Sequence, residues 1–145
     1  MKAIGGRFYL TALLACLLVI GCHPDDKDSL GDNYYWIGAR ISHRNKSGMT
    51  LNVIPSKVKR YGADDTYITA LQVADSFCLR GSDTRFVDAE CTYKSDYPTR
   101  RRLMQTGPCY WVIDKKANVV YGPMRRKAYR RLCDSLRIDV PLQYK

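Results

Sequence analysis

The apolar positions of this chain change their period three times. An apolar run, Phe8 to Ile20, comes first, interrupted only by Thr11 and the phenol of Tyr9. Residues 23–33, HPDDKDSLGDN, are then polar throughout except for Leu30. From Tyr34 the pattern becomes short aromatic and β-branched runs: Tyr34 to Ile41, Thr50 to Ile54 ended by Pro55, and Thr66 to Ala74. Such runs, bounded by turn residues, predict strands. In TYITALQVA the alternation sets Tyr67, Thr69, Leu71 and Val73 on one face and Ile68, Ala70 and Gln72 on the other. His43 to Gly48 and Gly62 to Asp65 carry turn chemistry, and Val58 to Tyr61 between them is short and basic-flanked.

From Asp75 to Pro108 the pattern is less regular. Gly81-Ser82-Asp83 marks a loop, Arg85 to Tyr93 is a candidate strand, and Ser95 to Arg102 with Pro98 reads as a long exposed loop. The last third is clearer. Cys109 to Asp114 predicts a strand, Lys115 to Asn118 a hairpin loop, and Val119 to Tyr121 a strand returning antiparallel. Gly122-Pro123 breaks that strand, and Pro123 suits the first turn of a helix. Met124, Ala128, Leu132 and Leu136 then recur every four residues, with Tyr129 and Cys133 widening the stripe. That spacing predicts a helix with one buried face. Its other face carries Arg125, Arg126, Lys127, Arg130 and Arg131. Ile138 to Tyr144 is a tail with a candidate last strand up to Pro141. Strands followed by a late helix predict the α+β class: a small antiparallel β-sheet with one C-terminal amphipathic helix packed on it.

The first apolar run has 13 residues. A spanning helix needs about 20, whereas a signal-peptide core needs about 7–15. Lys2 and Arg7 supply the positive flank before it. Val19-Ile20-Gly21-Cys22 follows and resembles the bacterial lipobox. There the small Gly21 admits the peptidase, cleavage falls between Gly21 and Cys22, and the Cys22 thiol takes the diacylglyceryl group. Cys16 is the rival, but cutting there would leave Leu17 to Ile20 as an apolar stub. The boundaries that follow are a lipoprotein signal peptide over 1–21, a lipidated flexible tether over 22–33 and a single domain over 34–145. The residue after the cysteine is His23 rather than Asp, which resembles the outer-membrane address of enteric-type bacteria. Asp25-Asp26 is similar to the acidic export signals of some surface lipoproteins.

Export changes the reading of charge and cysteine. The chain carries 24 Lys and Arg against 14 Asp and Glu, net +10. Without Lys2 and Arg7 the mature chain keeps a net +8. Such a balance often marks nucleic-acid proteins, but an exported chain has no nucleic acid to meet. Anionic lipid, lipopolysaccharide phosphates, acidic glycan or another envelope protein are the expected partners, besides the membrane reached through Cys22. Four cysteines remain for an oxidising compartment: Cys78, Cys91, Cys109 and Cys133. They are candidate disulfide partners, with three connectivities open; local spacing favours Cys78–Cys91 and Cys109–Cys133. The spacing is no zinc signature, and no metal or cofactor is expected.

Three pieces of the chain are familiar together. They are Ile54-Pro55-Ser56-Lys57-Val58 with Tyr61-Gly62 and Asp64-Asp65, then Ile68-Thr69-Ala70, then Tyr110 to Lys116 with Val120-Tyr121-Gly122-Pro123. They resemble a family of small bacterial lipoproteins of unknown function, which shares a lipobox, a V-x-x-Y-G-x-D-D segment and a YW-I-D-K-K…V-Y-G-P hairpin feeding a helix. The resemblance spans roughly 34–138 and implies a fold and a location, with no activity attached.

Candidate chemistry is sparse. Catalysis needs a nucleophile, a base and an orienting group within reach of one another. His23 lies in the tether and His43 in a turn, neither beside a nucleophile motif. A pocket uniting His43 with an acid would revive an enzyme; a filled core with His43 in solvent would exclude one. Asp64-Asp65 reads as a strand-capping turn, or as half of a calcium site or a carboxylate pair. Tyr34, Tyr35, Trp36, Tyr110 and Trp111 are either core or a ligand shelf, the shelf requiring Tyr35 and Tyr110 side by side. The basic face Arg125, Arg126, Lys127, Arg130 and Arg131 is a solvated face or a dock for anionic lipid. The expectation is a non-enzymatic, membrane-anchored binding module with a basic surface. The alternative is an inhibitor or immunity-type lipoprotein that blocks a protein partner.

Overall fold

Alternating side chains let a strand bury one face. A computed structural model of the chain, which describes residues 27–55, 57–73 and 91–144, uses that property in two sheets. The first sheet is an antiparallel meander of β1 (Lys27–Gly31), β2 (Tyr34–Ile37), β3 (Arg40–Arg44) and β4 (Thr50–Ile54). The second contains β5 (Val58–Ala63), β6 (Tyr67–Gln72), β7 (Thr92–Tyr93), β8 (Cys109–Asp114), β9 (Val119–Met124) and β10 (Gln143–Tyr144). Its spatial order is β10-β5-β6-β8-β9-β7, with β7 parallel to β9 and every other pair antiparallel. Helix α1 (Tyr97–Gln105) links β7 to β8, and α2 (Arg126–Leu136) follows β9.

The two sheets share one core. Tyr34, Ile41, Val53 and Ile54 of the first are buried with Ile68, Ala70, Trp111, Ile113 and Val120 of the second, and Met104 of α1 joins them. β6 keeps the alternation only in part, since Thr69 of the opposite face is fully buried too and donates to Val140 O at 3.3 Å. Ile68, Ala70 and Gln72 are buried and pair with Ile113, Trp111 and Cys109 of β8. Trp111 is fully buried, and its indole N–H donates to Gln72 Oε1 at 2.9 Å. The Gln72 amide in turn donates to Pro55 O at 2.7 Å, so the buried polar atoms of this pair are satisfied within the core.

The single antiparallel sheet with one helix is therefore corrected, among the described residues, to two sheets, one of them with a parallel pair, and two helices. The helix missed is α1, in the stretch read as an exposed loop. Asp96 caps it by accepting from Thr99 N at 2.8 Å, and Pro98 falls in its first turn, where a missing N–H costs nothing. Within that stretch Arg100 is buried, its guanidinium 4.4 Å from the Tyr93 ring centroid. The hydrogen bonds from Thr99 hold the Asp96 carboxyl below the ordinary range of an aspartate. A carboxyl with a depressed folded pKa stabilises above its unfolded pKa, and the benefit is lost as pH falls through the folded one. The melting temperature of Asp96→Ala should thus lie below wild type at about pH 6, and the gap should close at about pH 2.

The tether read over 22–33 is also shortened. Lys27 to Gly31 is a strand paired with β2, although only Leu30 of it is buried. An outer strand needs backbone pairing and one inward side chain, so its composition can remain polar. Pro123 lies in β9 rather than in the helix. The register shift between Tyr110 and Val112 accommodates it, as expected of a proline at a ladder irregularity. Gly122 beside it has φ +128°, and a Cβ there would meet Tyr110 O at 2.9 Å. The last strand is Gln143–Tyr144 on β5, beyond Pro141 rather than before it. The stretch read as a signal peptide, Cys22, Cys78, Gly81-Ser82-Asp83 and most of the stretch read as a strand from Arg85 to Tyr93 lie outside the described residues.

Candidate functional site

Three turns converge at one end of the two sheets. The β1–β2 turn is Asp32-Asn33, with φ of 48° and 64° following Gly31 at 84°. Two central residues at positive φ make a tight hairpin, and Asp and Asn tolerate it best after glycine. The β3–β4 turn is fixed by Asn45, whose Oδ1 accepts from Met49 N at 2.9 Å and Ser47 Oγ at 2.7 Å. The β8–β9 turn is Lys115 to Asn118: Asp114 Oδ1 accepts from Ala117 N at 2.9 Å, and Lys115 N donates to Thr66 O at 2.9 Å. Between them lies a cleft of about 290 Å³. Asp32 and Asn33 line it from the first turn, Arg44, Asn45 and Lys46 from the second, and Lys115, Lys116 and Asn118 from the third, with His43 in the wall.

The cleft is cationic. Among the described residues Arg44, Lys46, Lys115 and Lys116 face one carboxylate, Asp32. Lys116 Nζ lies 3.1 Å from Asp32 Oδ2 at an exposed position, a pair of little energetic weight. Lys115 differs, being only 5% exposed. Its ammonium donates to Leu30 O at 2.8 Å and lies 3.9 Å from Asp32 Oδ2. A Cβ on Gly31 would sit 2.7 Å from that ammonium, so Gly31 serves both the turn and the lysine. Tyr34 hydroxyl donates to Asn118 Oδ1 at 3.2 Å and contacts Cys91 Sγ at 3.3 Å. Burial, reinforced by Cys91, raises the Tyr34 phenol far above its ordinary range.

His43 was expected in a turn. It stands in β3 instead, buried, opposite Tyr34 and Leu51, with its ring 4.5 Å from that of Tyr34. His43 and Asp32 therefore line one cleft, the arrangement that would reopen catalysis. Among the described residues, however, no serine, threonine, cysteine or tyrosine lines it as a nucleophile.

The basic helix face is divided by the structure. Arg125 precedes α2 and turns inward: its guanidinium donates to Pro108 O at 2.8 Å and Leu103 O at 3.2 Å, and also to Thr106 Oγ1. It thereby satisfies carbonyls at the end of α1, a structural duty. Arg126, Lys127, Arg130 and Arg131 are exposed. Among the described residues none of these four side chains has a hydrogen-bond or ion-pair partner. The side of α2 that meets the sheet is led by Tyr129, stacked on Tyr110 at 4.9 Å, with Leu132, Cys133 and Leu136 half-buried. Ala128, expected in the apolar stripe, is exposed. Burial and the Cys133 thiol push the Tyr129 phenol up to about 12.

The remaining candidates fall to structural roles. No disulfide joins Cys91, Cys109 and Cys133, so the expected Cys109–Cys133 pairing is not made. Cys109 is buried at the start of β8 with Sγ 3.2 Å from Leu103 O, while Cys133 sits on α2 beside Tyr129. Burial raises both thiols above their ordinary pKa. Asp64 Oδ1 accepts from Thr66 N at 2.7 Å and Tyr67 N at 2.6 Å, a strand-capping turn. Among the described residues no three His, Cys, Asp or Glu come together to hold a metal. Tyr35 and Tyr110 lie in different sheets, so they form no shelf; Tyr35 carries Lys27 Nζ 4.1 Å over its ring. A second cleft of about 450 Å³ beside β1 and β5 balances Lys27 with Asp28, and Asp28 accepts from the Tyr61 hydroxyl.

The sequence reading missed the cationic cleft. Its signals were Gly31-Asp32-Asn33 and Lys115-Lys116, read separately as tether and loop. Among the described residues no helix is long and apolar enough to cross a membrane. No curated protein and no solved structure matches the chain. A family model does match, over residues 29–145, which takes in both the cleft and α2. The chain therefore belongs to the family described as protein of unknown function DUF3997.

Proposed function

We propose that the chain is a bacterial envelope lipoprotein, anchored through lipid on Cys22, whose domain is a non-enzymatic binding module that docks on anionic surfaces through α2. The observation that carries this reading is the charge arrangement of the helix. Arg126 and Lys127 occupy its first turn, no acidic residue does, and no side chain caps it. Cations at a helix N-terminus oppose the macrodipole by about 0.3–1 kcal/mol each. These charges work against the fold, as expected of residues kept for contact rather than stability. Near an anionic bilayer each Lys or Arg contributes on the order of 1 kcal/mol. Two or more acyl chains already anchor stably, so the helix would orient the domain rather than hold it. His23 after Cys22 supports an outer-membrane address, on the periplasmic or surface face.

The test uses the chain from His23 onward, which lacks the lipidated cysteine, with vesicles of phosphatidylglycerol and phosphatidylcholine. Arg126→Glu with Arg130→Glu should weaken sedimentation with these vesicles at least tenfold at about 0.1 M salt. The same variant should melt no lower than wild type, since Glu in the first turn suits the macrodipole. Unchanged binding would reduce the helix face to solubility.

A further inference from the structure

We infer that the cleft between the three turns is a binding site for a phosphate group, a site separate from the docking face of α2. The buried ammonium of Lys115 carries the argument. An ammonium has three donors. Among the described residues Leu30 O takes one at 2.8 Å, and Asp32 Oδ2 at 3.9 Å lies beyond hydrogen-bond reach. With its side chain only 3% exposed, Lys115 is a charge withdrawn from water and incompletely answered. Buried charges of that kind need further acceptors.

The rest of the lining supplies donors and few acceptors. Asn45 Oδ1 and Asn118 Oδ1 are occupied by Ser47, Met49 and Tyr34, which leaves their NH2 groups as the free ends. Arg44, Lys46 and Lys116 add three more cationic donors. Among the described residues four cations against one carboxylate leave three positive charges, which favours a dianion over a monoanion. A phosphate monoester carries close to two negative charges near pH 7 and three acceptor oxygens. About 290 Å³ is at the lower limit for small-molecule sites, so the occupant is a small solute or one headgroup, not a polymer. Hydrogen bonds hold Lys115, Asn45 and Asn118 in place before the ligand arrives.

Inorganic phosphate is the probe, added to the purified full chain in nonionic detergent, with acetate at equal ionic strength as the monoanion. Phosphate should raise the melting temperature on the order of 10 °C at a hundredfold excess over Kd, and acetate should not. Lys115→Met should abolish the shift without lowering the ligand-free melting temperature. Lys116→Gln, at an exposed position, should weaken phosphate binding at least fivefold whatever Lys115→Met does to folding. Lys59→Gln, which does not line the cleft, should leave the shift intact. Glycerol phosphate separates the sources of the group: tighter binding than inorganic phosphate assigns the site to an esterified headgroup, weaker binding to the free ion. No shift with either phosphate, an equal shift with acetate, or a full shift in both Lys115→Met and Lys116→Gln would overturn the inference.

Discussion

Replacing Trp111 by alanine should cost about 3–5 kcal/mol of folding stability, read as a lowered denaturant midpoint. The indole is fully buried where the two sheets meet. It pairs across β6 with Ala70, and a Cβ on Gly122 would come within 3.0 Å of its ring. Small residues on both flanks make room for one large side chain, and neither can expand to fill the space it leaves. The change also removes the indole N–H that satisfies Gln72 Oε1. Trp36 is the internal comparison. It is half-buried and stacked on Tyr61 at 5.7 Å, so Trp36→Ala should cost distinctly less. Equal costs for the two would mean that the core is not centred on β8.

The second large effect concerns location. Cys22→Ser should move the protein out of the membrane fraction, or leave it as an unprocessed precursor. Each buried methylene contributes about 0.8 kcal/mol to anchoring, so two acyl chains make attachment stable. Without them only the exposed charges of α2 would hold the domain, and salt should then wash it off. A Cys22→Ser protein that stays fully processed and membrane-bound would overturn the lipoprotein proposal.

Legibility in the sequence followed the range of the forces involved. The strands at Tyr34, Thr50, Tyr67 and Cys109 were readable because short aromatic and β-branched runs bounded by turn residues suit a pleated, buried surface. The hairpin over Cys109 to Tyr121 was readable from its polar loop between two apolar runs. Helix α1 was not, since its pattern is weak and Pro98 suggests a breaker until Asp96 is recognised as a cap. β1 was hidden because the backbone, not its side chains, ties it to β2. That α2 packs through Tyr129 rather than Ala128 depends on where Tyr110 stands in the sheet, which no local pattern records. The cleft was least legible of all. Its parts come from residues 32–33, 43–46 and 115–118, and only the fold makes them neighbours. Arg125 shows the same limit, because its partners Leu103, Thr106 and Pro108 belong to another helix end.

The account's central claim is that the domain itself, apart from its lipid, engages anionic surface by charge. The most direct measurement is the partition of the chain from His23 onward onto phosphatidylglycerol vesicles as salt rises from about 0.05 to 0.5 M, beside pure phosphatidylcholine. The Debye length falls from roughly 14 to roughly 4 Å over that range, so contact by exposed charge must weaken steeply. The account predicts binding to the anionic vesicles alone, lost progressively across the titration. Binding to neither lipid, or binding to both that ignores salt, would contradict it.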